Sequence, residues 1–152
     1  MAQHPGLAPA LGLLAFVAAG VAAAGGPSAQ LRLRGQVQPV CTVSVADRGV
    51  TLDLARPFDS VAVASIEERC NAADGYSVRL STQNGGRLSG EAGGVPYTIS
   101  YDGAVQSDGA LVATRPAAPL GRSRDLAVSA LPPADLPAGA YEDTIVVTIA
   151  AR

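Results

Sequence analysis

The two cysteines, Cys41 and Cys70, are the residues whose chemistry the sequence makes most evident. An even pair of cysteines in an exported chain indicates a disulfide. Closing a loop of about 30 residues would stabilise the fold by roughly 3–4 kcal/mol. We therefore predict a Cys41–Cys70 bridge that joins the first strand to a neighbouring one, with two buried free thiols as the alternative.

The remaining side chains offer little for catalysis. The only histidine is His4, all 11 basic residues are arginines, and the sequence contains no lysine. A general base that works near neutral pH is usually a histidine, a tuned lysine or a tuned carboxylate. After the N-terminal segment that contains His4, a serine nucleophile would have no histidine or lysine to activate it. Glu67, Glu68 and Glu91 fall in turn-like or irregular contexts, where we expect solvated surface charges rather than a catalytic pair. We predict that the protein is not an enzyme and has no catalytic residues.

Metal, cofactor and nucleic-acid sites are also not indicated. Zinc would need a cluster of cysteine and histidine. Asp102 and Asp108 each precede a glycine, and turns explain that pattern better than a calcium site does. The paired glycines at 85–86 and 93–94 lie between predicted strands and open no helix that could hold a phosphate. The net charge of −2 and the 4% aromatic content do not favour a nucleic-acid surface.

The N-terminal segment is typical of an export signal. Residues 11–24 form an apolar run that is short for a membrane span and ends in small residues. We predict a signal peptide at residues 1–24, which leaves Gly25 as the mature N-terminus, or Gln30 if cleavage follows Ala29. Residues 25–30 are then a short flexible N-terminus, and no membrane span remains. A buried apolar helix is the alternative.

The clearest pattern in the rest of the chain runs from residue 31 to residue 45. Odd positions are mainly apolar or small and even positions mainly polar, which is the period of a strand with one buried face. The odd positions are Leu31, Leu33, Gly35, Val37, Pro39, Cys41, Val43 and Val45. We expect Gly35 or Pro39 to divide this long strand, because proline removes a donor from the ladder.

Shorter alternating stretches predict further strands at 50–54, 76–80, 95–101, 126–128 and 141–149. Turns are indicated at Asn84-Gly85-Gly86 and at Asp102-Gly103. Asn-Gly and Asp-Gly pairs tolerate the positive φ that hairpin turns need. We expect loops at 115–120 and 131–140, and at most one helical turn within 62–73. Short strands, 17 glycines and 11 prolines predict a single all-β domain, either an antiparallel sandwich or a barrel.

Three segments together resemble a known family. They are GQVQPVCTVSV at 35–45, RCN followed by GYSVRL at 69–71 and 75–80, and GAYEDTIVVTI at 139–149, and VPYTISY at 95–101 is similar to a middle strand of the same type. These segments resemble the secreted pilin superfamily, in particular the spore coat protein U domain and the chaperone–usher pilins. The resemblance covers the chain from about Leu31 to its end.

The resemblance implies a pilin-like domain at 31–152, an incomplete immunoglobulin-like β-sandwich that lacks its last strand. A strand from another chain would fill the resulting groove by β-augmentation. The candidate donor strand carries Leu31, Leu33, Gly35 and Val37. The expected partners are like or related pilin subunits, a periplasmic chaperone and an outer-membrane usher, and the expected location is the cell surface.

A second interpretation stays open at this point. The chain is then a self-contained, monomeric secreted sandwich that binds a ligand or a surface. Residues 31–45 would in that case be an edge strand of the domain's own sheet.

Overall fold

The computed structural model describes residues 26–91, 93–106 and 108–152. The chain divides into two units, Met1–Gly35 and Gln36–Arg152. The predicted signal peptide, residues 1–24, lies outside the described residues, so its cleavage stays a prediction. In the described ranges, no helix has the length and apolar character needed to cross a membrane.

The second unit contains all nine strands of the described residues. In chain order they are β1 Cys41–Asp47, β2 Phe58–Cys70, β3 Tyr76–Thr82, β4 Arg87–Gly90, β5 Gly93–Tyr101, β6 Ala104–Gln106, β7 Ala110–Arg115, β8 Ala118–Ala130 and β9 Ile145–Ala151. The predicted all-β class is confirmed.

The strands form two antiparallel sheets of unequal size. The larger sheet has the order β1-β2-β8-β5-β4, with β6 paired to β5, and the smaller sheet has the order β7-β3-β9. Every pairing is antiparallel. The architecture is that of a β-sandwich, as predicted.

Side chains of alternating strand positions build the core between the sheets. In β3 the residues Tyr76, Val78 and Leu80 are fully buried, and in β5 the alternating positions from Val95 to Tyr101 are buried in the same way. Leu126 and Val128 of β8 complete this layer. The period-two pattern therefore located these strands correctly, because successive strand residues point to opposite faces of a sheet.

The predicted disulfide is present. Cys41 and Cys70 are bonded, and they are register partners at the ends of β1 and β2. The bridge thus joins the first strand to its neighbour in the larger sheet, as expected.

The two turn signals have different outcomes. Asp102 and Gly103 have φ values of 49° and 83°, and they link β5 to β6 as a two-residue hairpin in which Tyr101 pairs with Ala104. Gly85 and Gly86 also have positive φ, but the strands on either side of them lie in different sheets. The Asn-Gly turn therefore connects the two layers and is not a hairpin.

The predicted strand at 31–45 is corrected at its start. Residues 26–40 have no regular secondary structure, and β1 begins at Cys41. Pro39 has no N–H for the ladder, which explains why regular pairing with β2 begins only after it.

Two smaller expectations are wrong. The strand expected at 50–54 does not form, and β8 already begins at Ala118 within the expected loop 115–120. Most of the stretch 62–73, where at most one helical turn was expected, belongs to the strand β2. In β2, tertiary pairing on both sides overrides the weak strand propensity of its alanines and charged residues. The loop at 131–140 contains no strand, as predicted.

The closing motif fixes the start of β9. The Tyr141 hydroxyl donates to the backbone oxygen of Pro137, four residues upstream, at 2.8 Å, a hydrogen bond similar to that of a tyrosine corner. Asp143 accepts the Tyr97 hydroxyl at 2.9 Å and the backbone N–H of Asn84 at 3.0 Å. Both side chains tie the segment before β9 to the rest of the domain.

Candidate functional site

The two sheets are unequal in size, and their outer strands β1 and β9 lie close to each other. Strand β9 pairs with β3 along one edge, and within the described residues its other edge has no strand partner. Strand β1 is likewise the outer strand of the larger sheet and pairs only with β2 there. The Cα atoms of β1 and β9 come within 8 Å of each other although the two strands are not paired.

The free edge of β9 lacks the usual protection against pairing. Its seven residues, IVVTIAA, contain no charge and no proline. Soluble proteins normally blunt such an edge with a charged side chain, a proline or a bulge, because its free N–H and C=O groups can pair with another chain. An edge of this kind is typical of a strand that receives a partner.

The inward side chains along these two strands are apolar and only partly covered. We call the surface that they form the β1–β9 groove and define it by the inward side chains Cys41, Val43, Ile145, Val147 and Ile149. All five are half-buried and pack against the core. The next inward residue of β1, Val45, is 51% exposed although its register partner Ile66 is completely buried. A strand added to β9 would therefore cover apolar surface that the domain leaves open.

A cavity of about 890 Å³ lies beside the segments that follow β1 and precede β9. Its walls come from residues 50–55 and 136–142 together with Leu88. By chain connectivity this cavity lies at the Asp47 and Ile145 end of the groove. The four leucines of its wall are half-buried, and they are Leu52, Leu54, Leu88 and Leu136.

The candidate donor residues are available for contacts. Leu31 is 84% exposed, and Leu33 and Val37 are each 83% exposed. A Cβ atom added at Gly35 would meet nothing within 4 Å. No strand forms in this stretch, and its role as a donor strand stays a prediction.

A buried polar network was missed by the sequence interpretation. Glu68, expected on the surface, is completely buried and accepts hydroxyl hydrogen bonds from Tyr76, at 2.6 Å, and from Tyr101. The Nε atoms of Arg122 and Arg115 lie 3.7 and 4.0 Å from its carboxylate. The signal was present in the alternation of Ile66, Glu68 and Cys70, which share the inward face of β2.

Asp102 extends this network to the surface. Its carboxylate accepts Arg124 Nε at 2.7 Å and also pairs with Arg122 at 2.8 Å and Arg115 at 2.9 Å. Burial by itself would raise the pKa of Asp102. The Arg124 hydrogen bond and the charges of Arg115 and Arg122 outweigh it and hold this pKa below its usual range. A carboxylate already engaged by three guanidinium groups is poorly suited to bind calcium.

The tyrosines of the network are held in their neutral form. Burial raises the pKa of Tyr76 to about 12, and the hydrogen bond to Glu68 adds to the rise. The same two causes raise the pKa of Tyr101. The network joins β2, β5 and β8 of one sheet to β3 and β7 of the other, and it brings together no nucleophile with a base. Its chemistry is that of a structural connection.

The comparisons with known proteins add no family to these observations. No protein-family model matches the chain, and no curated protein matches it.

Proposed function

We propose that this chain is the structural subunit of a fibre, assembled when residues 31–37 of one copy add a strand to β9 of the next. The single observation that carries the proposal is the unprotected edge of β9 beside the half-covered β1–β9 groove. We call residues 31–37 the donor segment.

The donor segment and the groove match in length and period. Seven residues of donor segment would face the seven residues of β9. The donor alternates apolar or small residues with polar ones, and the inward positions of β9 are Ile145, Val147 and Ile149. Burying two leucines and one valine is worth roughly 1.5–3 kcal/mol per side chain before ordering costs, and backbone hydrogen bonds add to it.

The rest of the proposed setting follows from the resemblance to secreted pilins. The disulfide supports an oxidising compartment, and the Tyr141 hydrogen bond supports an immunoglobulin-type chain path. In this setting a periplasmic chaperone lends a strand to β9 during transit. An outer-membrane usher then passes the subunit to the surface, where a like or related subunit replaces the chaperone.

The test compares two single substitutions in the donor segment. Leu33→Asp places a charge on the face that would enter the groove, and Gln36→Asp places the same charge on the opposite face. By size-exclusion chromatography, we expect the Leu33→Asp protein to be monomeric and the Gln36→Asp protein to assemble like the wild type. The Leu33→Asp monomer should bind a synthetic peptide of residues 31–37.

A wild-type protein that stays monomeric at high concentration, together with a monomer that does not bind the peptide, would contradict the proposal. That result would favour the self-contained sandwich, whose sheet needs no strand from another chain.

A further inference from the structure

Asn71, the first residue after β2, holds the chain on both sides of Pro39. The Val40 N–H donates to Asn71 Oδ1 at 2.6 Å, and Asn71 Nδ2 donates to the Gln38 carbonyl at 3.1 Å. The backbone N–H of Asn71 also donates to the Val40 carbonyl at 3.2 Å. These three bonds form what we call the Asn71 clamp.

The clamp takes the place of the regular backbone hydrogen bonds between β1 and β2, which Pro39 interrupts. The regular register between β1 and β2 ends with the pair Cys41 and Cys70, and the disulfide lies at that same pair. Beyond it, Pro39 has no N–H to offer. The side-chain amide of Asn71 supplies both an acceptor and a donor, so residues 38–40 stay fixed beside the end of β2. Gln38, Val40 and Asn71 are all exposed, and none belongs to the core.

The position of the clamp decides where the donor segment can turn. Cys41 pairs with Cys70 at the end of β2. Tyr76, which follows a few residues after Cys70, pairs with Ala151 at the end of β9. Cys41 is therefore placed at the Ala151 end of the β1–β9 groove. To enter the groove of its own domain, the chain before Cys41 must reverse its direction.

We propose that Asn71 is a positioning residue that prevents the donor segment from filling its own groove and so reserves it for another copy. A reversal needs a turn of at least two residues, and residues 38–40 are the only ones between the donor segment and β1. The clamp removes these three from any turn. A turn made instead at residues 36–37 would remove Val37 and leave five residues to cover the seven of β9. This inference rests on the proposed function.

The experiment uses the full exported chain with Asn71→Ala and Asn71→Asp. Alanine removes both side-chain bonds, whereas aspartate keeps the acceptor for Val40 and loses the donor to Gln38. Two hydrogen bonds of ordinary strength correspond to roughly a tenfold or larger change in an equilibrium constant. At equal concentration, we expect Asn71→Ala to raise the ratio of monomer to polymer about tenfold, with Asn71→Asp between it and the wild type.

A second readout shows where the donor segment has gone. The Asn71→Ala monomers should not bind the peptide of residues 31–37, because their own segment occupies the groove. Adding Leu33→Asp to Asn71→Ala should empty the groove and restore peptide binding to the level of Leu33→Asp alone. A double variant that fails to bind the peptide would show that Asn71 serves the fold, and would overturn the inference.

The outcomes separate this inference from the proposed function. If Asn71→Ala assembles like the wild type while the Leu33→Asp monomer binds the peptide, the clamp has no such role and the proposed function stands. If the Leu33→Asp monomer does not bind the peptide, the proposed function fails and the clamp inference fails with it.

Discussion

At the scale of single residues, the buried Glu68 carboxylate is the most consequential side chain of the core. It contacts two tyrosine hydroxyls and lies near two arginines from both sheets. Buried charges of this kind do not always add stability compared with an apolar core, but removal of one partner leaves the others unsatisfied. The Nε atoms of Arg115 and Arg122 are buried and already have no hydrogen-bond partner among the described residues.

Replacement of Glu68 should therefore be costly. We expect Glu68→Gln to lower the free energy of unfolding by about 3–5 kcal/mol, the range for breaking one side of a buried ion pair. The free energy of unfolding is measured by urea denaturation in proteins that also carry Leu33→Asp, which keeps them monomeric. Glu67→Gln is the matched control, since Glu67 has a 57% exposed side chain, and its effect should stay within about 0.5 kcal/mol. Equal effects of the two substitutions would contradict the structural role of Glu68.

The same network predicts a loss of stability at high pH. The pKa of Tyr76 rises from about 10 in the unfolded chain to about 12 in the fold. Its folded pKa lies above the unfolded value, so the associated stability is complete below about pH 10 and disappears as the pH passes about 12. Unfolding midpoints measured from about pH 8 to about pH 12 should fall over this window. In the Tyr76→Phe variant, the unfolding midpoint should decrease less steeply with pH. An equally steep decrease in the variant would mean that groups other than Tyr76 cause it.

At the scale of elements, β9 combines an anchored beginning with an edge that no other described strand pairs with. The side chains of Tyr141 and Asp143 fix its start, and β3 holds one edge along the whole strand. The chain at Ala140 and Tyr141, just before β9, also packs closely on Gly90. A Cβ atom at Gly90 would lie 2.5 Å from the Ala140 carbonyl oxygen and 2.9 Å from the Tyr141 ring. The strand is therefore ordered before any partner arrives, which reduces the ordering cost of strand addition.

Two adjacent valines of β9 provide a direct test of this edge. Val147 points into the β1–β9 groove and is half-buried, whereas Val146 points outward and is 41% exposed. We expect Val147→Lys to weaken binding of the peptide of residues 31–37 by at least roughly tenfold, since the added strand would bury a charge. Val146→Lys should leave binding nearly unchanged. Equal weakening by both would mean that the inward face of β9 does not receive the donor.

At the scale of the whole molecule, the disulfide, the predicted leader and the open edge form one consistent scheme. A disulfide needs an oxidising compartment, and an unprotected edge strand is a hazard in a crowded cytosol. The proposed export before folding would meet both requirements. A chaperone that covers β9 until the next subunit arrives would also keep the edge from aggregating.

Export makes a prediction that is simple to check. N-terminal sequencing of the secreted or periplasmic protein should begin at Gly25, or at Gln30 if the second cleavage pattern is used. A mature protein that retains Met1 would contradict the export argument, and it would remove the main reason to expect an oxidised Cys41–Cys70 pair in the cell.

The sequence by itself determined which faces of β3 and β5 are buried. Tyr76, Val78 and Leu80 alternate because one face of β3 covers the core, and the Asp-Gly hairpin follows from the positive φ at Asp102 and Gly103. The disulfide was also predictable, since two cysteines allow a single pairing. These features depend on local geometry or on residue type, and a single sequence records both.

Only the tertiary structure decided which elements meet. Period-two alternation shows which side of a strand is buried but not which strands are its neighbours. It could therefore not show that the Asn-Gly turn joins two sheets, or that β9 pairs with β3 alone among the strands that the structure describes. Glu68 is buried because tyrosines and arginines from four other strands surround its carboxylate, and Asn71 clamps residues 38–40 across a separation of more than 30 residues. The physical reason is that burial and pairing are set by long-range contacts, and these exist only once the chain is folded.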